Sequence, residues 1–92
     1  MINVSDIRME IAEMLREHFD ANIDPALQED LAANFFGMKY SMPPYFMLYL
    51  VLMLEHKYEI CFNDYDYDSD GFYCLEGISD IIAQKISEKE SA

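Results

Sequence analysis

SMPPYFMLYLVLMLEHKYEI, residues 41–60, holds ten consecutive positions (45–54) without a charge or a strongly polar side chain. A serine and two prolines open the stretch, and LEHKYEI closes it with charge. A run of this length and composition reads as a helix buried on most of its circumference. Ser41 fits as its N-cap, with Pro43 or Pro44 in the first turn, where a missing N–H costs nothing. On the helix wheel Met47, Leu50, Val51, Leu54 and Tyr58 form one stripe, taken as the core face. Tyr45, Tyr49, Leu52 and His56 form a second stripe, rich in hydroxyls that prefer a wet edge or a partner. The run falls well short of the roughly 20 apolar residues that cross a bilayer, so no membrane association is expected.

The flanks read as what covers this helix. Upstream, Ser5 caps an amphipathic segment whose Ile7, Ile11, Met14, Leu15 and Phe19 recur at spacings of three and four. Asn22, Asp24 and Pro25 end it near Asp20. Leu27, Leu31 and Phe35 share a helical face, which leaves a short helix or a packed loop open for residues 26–36. Downstream, residues 63–71, NDYDYDSDG, form an acidic loop. Phe72, Leu75, Ile78, Ile81, Ile82 and Ile86 then build a last helix, and residues 87–92 read as a frayed polar tail. The expected core is Ile7, Ile11, Leu15, Leu31, Leu50, Val51, Leu54, Leu75, Ile78 and Ile82. No strand is expected.

Ninety-two residues with 52% hydrophobic content form one domain, here residues 1–92. Eighteen acidic against six basic residues give a net charge of −12. Such a surface repels nucleic acid and favours a protein partner with a basic or apolar docking face. The opening residues lack a basic, apolar leader, and Cys61 and Cys74 fit no CxxC spacing. A cytoplasmic protein with reduced thiols is therefore the expectation.

Two motifs bear on chemistry. Asp66, Asp68 and Asp70 followed by Gly71 match the opening of an EF-hand calcium loop, in which oxygen ligands at alternate positions wrap a hard cation. The closing bidentate glutamate belongs at position 77, which is Gly77, while Glu76 stands one place early. A single-loop calcium-binding module using the three aspartates is therefore one alternative. His18 and His56 occupy no nucleophile or metal spacing, and no glycine-rich phosphate loop is present, so an enzyme is not expected.

LEHKYEI, residues 54–60, resembles the LExxFxIxI ending of the second helix of acyl carrier proteins. FYCLEGISDIIAQKI, residues 72–86, resembles that family's closing segment, where a Thr-Val pair caps the last helix. Within the family the chain looks most like the divergent carrier-related proteins associated with bacterial peptide maturation of the bacteriocin type. The resemblance implies an all-α, acyl-carrier-like four-helix bundle with a short or irregular third helix near residues 64–71. It also implies a non-enzymatic carrier, or a docking or scaffold partner of a biosynthetic or peptide-modifying enzyme. The family attaches 4′-phosphopantetheine to a serine in an Asp-Ser-Leu motif. Aligned back from LEHKYEI, Pro44 falls where that serine belongs. Ser41 is the candidate attachment residue if one helical turn is inserted, with Tyr40 in place of the aspartate and Met42 in place of the leucine. The same register puts Phe46 and Tyr49 where carriers show acids to their enzymes. Tyr45, Phe46 and Tyr49 are accordingly the expected partner-binding face, with a homodimer contact or an inhibitor- or immunity-type interaction as the other uses of such a surface.

Overall fold

Asn3 opens the first helix, in a position where its side-chain oxygen accepts the Asp6 N–H at 2.9 Å. The computed structural model describes residues 3–38, 40, 42–43 and 45–91, with Asp70 and Ser91 described through their backbone alone. Helix α1 spans Val4–Phe19, α2 Gln28–Ala32, α3 Phe46–Tyr58, α4 Asp64–Asp68 and α5 Leu75–Ser91, with a 3-10 turn at Asp70–Tyr73. The described residues are all-helical and contain no strand. Three long helices carry the core, and the two short ones sit in the connections.

Helix α1 begins before Ser5, because Asn3 is as good a cap as serine and stands closer to the first apolar turn. It ends at Asp20, which adopts a left-handed conformation (φ 56°). Residues 21–24 then alternate, with Ala21 and Ile23 buried and Asn22 and Asp24 exposed, so the chain returns extended along α1. Helix α2 resolves the open alternative for residues 26–36 in favour of a short helix, held by Leu31 and by the Gln28 amide donating to Glu76 of α5.

Helix α3 starts later than its prolines suggest. Its first turn is closed by the Phe46 N–H donating to the Pro43 carbonyl at 2.9 Å, and Tyr45 occupies the cap position. The expected start at Ser41 is thus corrected: the residue before a proline is pushed away from helical backbone, so a Pro-Pro pair delays helix entry. Glu59, also left-handed (φ 53°), ends α3.

Helices α1 and α5 pack against each other, and a polar clamp sits in that contact. Arg8 donates through Nε to Oγ of the fully buried Ser79 at 2.9 Å, and its other arm pairs with Asp80 at 3.0 Å. Ser79 in turn donates to the Glu76 carbonyl, so the buried hydroxyl is satisfied both as donor and as acceptor. Helix α3 is tied to α1 by Tyr58, whose hydroxyl donates to the Glu10 carboxylate. Partial burial and the neighbouring Glu10 carboxylate push the Tyr58 phenol well above its ordinary value, so it stays protonated as a donor.

All ten expected core residues are buried, and Phe35, Phe46, Phe62 and Phe72 join them. Helix α5 continues through Ser91, where a frayed tail was expected from position 87. Lys89 anchors this last turn by donating to the Glu59 carbonyl at 3.0 Å.

The start of α5 is the tightest point in the molecule. Cys74 precedes Leu75 in extended backbone, its Sγ accepting the Gly77 N–H at 3.4 Å and its thiol directed at the Gly71 carbonyl at 3.6 Å. A Cβ built on Gly77 would stand 2.0 Å from the Gly71 carbonyl oxygen and 2.3 Å from its Cα. Both neighbours are backbone, so nothing can swing aside. The Gly77→Ala variant is expected to lose about 3 kcal/mol of stability through this overlap. Urea unfolding checks it, and an unchanged midpoint would show that the turn and helix separate freely.

Candidate functional site

Helix α3 has two unlike sides. Phe46, Leu50, Val51 and Leu54 are buried, three of them completely. On the other side Tyr45, Leu48, Tyr49 and Leu52 are 60%, 63%, 54% and 56% exposed. Positions 45, 48, 49 and 52 follow the three- and four-residue spacing of one helix face, so these side chains form a continuous stripe. The Tyr45 and Tyr49 rings meet edge to face with centroids 5.9 Å apart. His56 continues the stripe into solvent at the charged end of the helix.

Phe46 does not belong to this surface. Its ring is fully buried, with Phe19, Phe35 and Phe36 edge-on to it at centroid distances of 4.7, 5.3 and 6.4 Å. The expectation that Phe46 joins Tyr45 and Tyr49 in a partner face is corrected by this packing. Phe46 and Tyr49 are three positions apart, but Phe46 faces the end of α1 and the loop after α2. Leu48 takes its place outside; the sequence signal for it was its position three after Tyr45.

The stripe lies on a strongly acidic body whose cations are largely engaged. Arg8 pairs with Asp80, Lys85 with Asp66 and Lys89 with Glu59, while Lys57 stands over the Tyr58 ring at 5.8 Å. Near Tyr45 the surface also presents Arg16, Glu17, His18 and Asp20, which share a shallow depression with Met42 and Pro43. The exposed side of α3 is therefore apolar along its length, with both signs of charge at its rim, on a chain of net charge −12.

Ser41 lies outside the described residues. Helix α3, whose start the attachment serine of a carrier would occupy, has Tyr45 and Phe46 there instead.

The three aspartates of the calcium motif are not gathered into a loop. Asp66 and Asp68 lie within α4, two positions apart and thus about 200° around the helix. Asp66 is already employed: with Asn63 it forms a capping box, accepting the Asn63 N–H at 2.8 Å, and it pairs with Lys85 at 2.8 Å. The side chain of Asp70 lies outside what is described. Among the described residues no three His, Cys, Asp or Glu side chains converge as metal ligands. Gly77, where a calcium loop would need its closing glutamate, is held to glycine by its contact with Gly71. Cys61 is exposed and Cys74 partly buried, both as free thiols. No helix among the described residues is long and apolar enough to cross a membrane.

Comparison of the chain with family models, curated proteins and solved structures returned no match.

Millimolar calcium is expected to leave the melting temperature unchanged, because Asp66 is held by Lys85 and its own cap. A site filled to a hundred times its Kd would add about 2.7 kcal/mol, a rise of more than about 10 °C for a domain of this size. Differential scanning calorimetry with calcium and with EDTA distinguishes the two.

Proposed function

We propose that this chain is a non-enzymatic docking protein whose working surface is the outer face of α3. The observation that carries the reading is the stripe Tyr45, Leu48, Tyr49 and Leu52, each more than half exposed, on a helix whose opposite side is buried. Isolated exposed apolar residues are ordinary, but four on one helix face form a patch that normally meets a partner. Tyrosine is among the residues that contribute most when such a patch is covered. The net charge of −12 favours a partner whose apolar surface is bordered by lysine or arginine.

The order of elements supports a carrier-like form of this reading. A long first helix, a long connection, a central helix, a short helix and a long closing helix follow the sequence expected of an acyl-carrier-like bundle. The segment 72–86, which resembles the carriers' closing segment, contains the start of α5, where Cys74 caps the helix by accepting the Gly77 N–H through sulfur. The prosthetic arm is not part of the reading: Tyr40 precedes Ser41, and α3 begins five residues after it. A docking partner drawn from peptide-modifying enzymes, in the cytoplasm, fits the same reading.

The double variant Leu48→Glu/Tyr49→Glu tests the surface. Both positions are exposed, so its melting temperature should match that of the wild type. A protein retained from the native lysate by the wild type should, once purified, bind it directly and bind the variant at least about thirtyfold more weakly, equivalent to about 2 kcal/mol at the two positions together. Equal binding by the two chains overturns the assignment of the surface.

Intact mass after incubation with coenzyme A and a broad-specificity phosphopantetheinyl transferase tests the arm. The mass is expected to stay unchanged while an ordinary carrier is modified in the same tube. A gain of one phosphopantetheine, lost in Ser41→Ala, would make the chain an acyl carrier in the full sense.

A further inference from the structure

Away from α3, a depression lies between α1 and the extended segment that returns along it. Its volume is about 690 Å³. Its exposed apolar surface is chiefly Met9, 60% exposed, above a floor of Ala12, Ala21 and Ile23, which are nearly covered. Around the floor stand Asp6, Glu10, Glu13, Asp24 and Asp30, against a single cation, Arg16. The walls are fixed rather than floppy. The Ala21 N–H donates to the Leu15 carbonyl at 3.2 Å, and the Asp24 N–H donates to Asp30 Oδ2 at 2.9 Å, which pins the returning segment at both ends. Glu10 is held from the other side by Tyr58.

We propose that this groove is a second binding site, and that its occupant is an amphipathic basic peptide segment from another protein, its apolar residues on the Ala12–Ala21–Ile23 floor and its lysine or arginine side chains against the acidic rim. Charge complementarity selects this class. A second copy of the chain would bring another net charge of −12 to an acidic groove, and a nucleic acid or anionic lipid would meet the same repulsion. A bare metal ion finds no convergent ligand set among the described residues. A small polyamine could answer the carboxylates, but it would leave the Met9 side chain in water. A peptide with both characters covers both parts of the surface. The site is independent of the α3 stripe, since none of its residues belongs to that helix.

The test uses the full chain, labelled with ¹⁵N, and an amphipathic peptide built from lysine and leucine at helical spacing. The expected result is saturable binding, with the largest amide shifts at Ala12, Ala21 and Ile23. The variant Asp6→Lys/Glu13→Lys should bind at least about tenfold more weakly. A control, Glu88→Lys/Glu90→Lys, makes the same change in net charge on the exposed end of α5 and should bind within about twofold of the wild type. Circular dichroism establishes that both variants are folded; should Asp6→Lys disturb the start of α1, Glu13→Lys alone against Glu90→Lys gives the same comparison. Equal losses in groove and control variants would reduce the effect to overall charge and overturn the site. Shifts centred on Tyr45, Leu48 and Tyr49 would move the peptide to α3 and likewise overturn it. So would spermidine binding as tightly and shifting the same amides.

Discussion

The packing of Phe46, Leu50, Val51 and Leu54 into the core decides which way α3 faces, and Phe46 anchors one end of it. Its ring fills the space bounded by Phe19 from the end of α1 and by Phe35 and Phe36 from the loop after α2, with all three pairs edge to face. Edge-to-face pairs add about 0.5–1.5 kcal/mol each beyond the area they bury. At 100° per residue the buried Phe46, Leu50, Leu54 and Val51 together span an arc of about 140°, which leaves Tyr45, Leu48, Tyr49 and Leu52 on the opposite arc. The exposed stripe is therefore a consequence of core packing along the whole helix. The long loop before α3 takes part as well. Phe35 N–H donates to the Tyr73 carbonyl and Met42 N–H to the Phe35 carbonyl, which brings Phe35 under Phe46.

A second constraint is a missing side chain. Gly71 and Gly77 approach so closely that the 3-10 turn lies directly on the first turn of α5. That contact carries Phe72 into the core, where its ring meets Phe62, Tyr67 and Tyr73. It also explains the acidic stretch before it. Asp66 is used twice, once to cap α4 and once to hold Lys85 of α5, so part of what reads as a run of solvated charge is structural. The cap of α5 is made by a cysteine, whose sulfur is a weaker acceptor than the hydroxyl usually found there.

Much of the fold could be read from the residues because the helix faces of α1 and α5 are clearly two-sided. The apolar residues of each fall on one stripe, and Ile7, Ile11, Leu15, Ile78 and Ile82 are buried as that periodicity requires. Helix α3 was legible in its rotation as well: the wheel puts Leu50, Val51 and Leu54 inside and Tyr45, Tyr49, Leu52 and His56 outside, as they are. Phe46 was misplaced by the register taken from the acyl-carrier resemblance, which set it beside Tyr49, and Leu48 was overlooked because ten apolar residues in a row give every face nearly the same hydrophobicity. The starts of helices were obscured for a different reason. Asn3 and Ser5, or Ser41 and Tyr45, compete as caps within a few residues, and the winner depends on tertiary packing that no local rule contains. The groove beside α1 left no local signature, because its floor joins Ala12 to Ala21 and Ile23 across a reversal of the chain.

An apolar stripe on a small protein invites self-association, and the charge of this chain opposes it. Two copies meeting through α3 would bring net charges of −12 together. Like charges at close range cost several kcal/mol when they are desolvated. The four exposed side chains also offer less area than the roughly 800 Å² per partner of a standard interface. A basic partner reverses the sign of the first term and can extend the second beyond the stripe. The same acidity thus discourages pairing of identical copies and favours a cationic partner. That gives both the α3 face and the groove beside α1 a common selectivity, although the two surfaces share no residue.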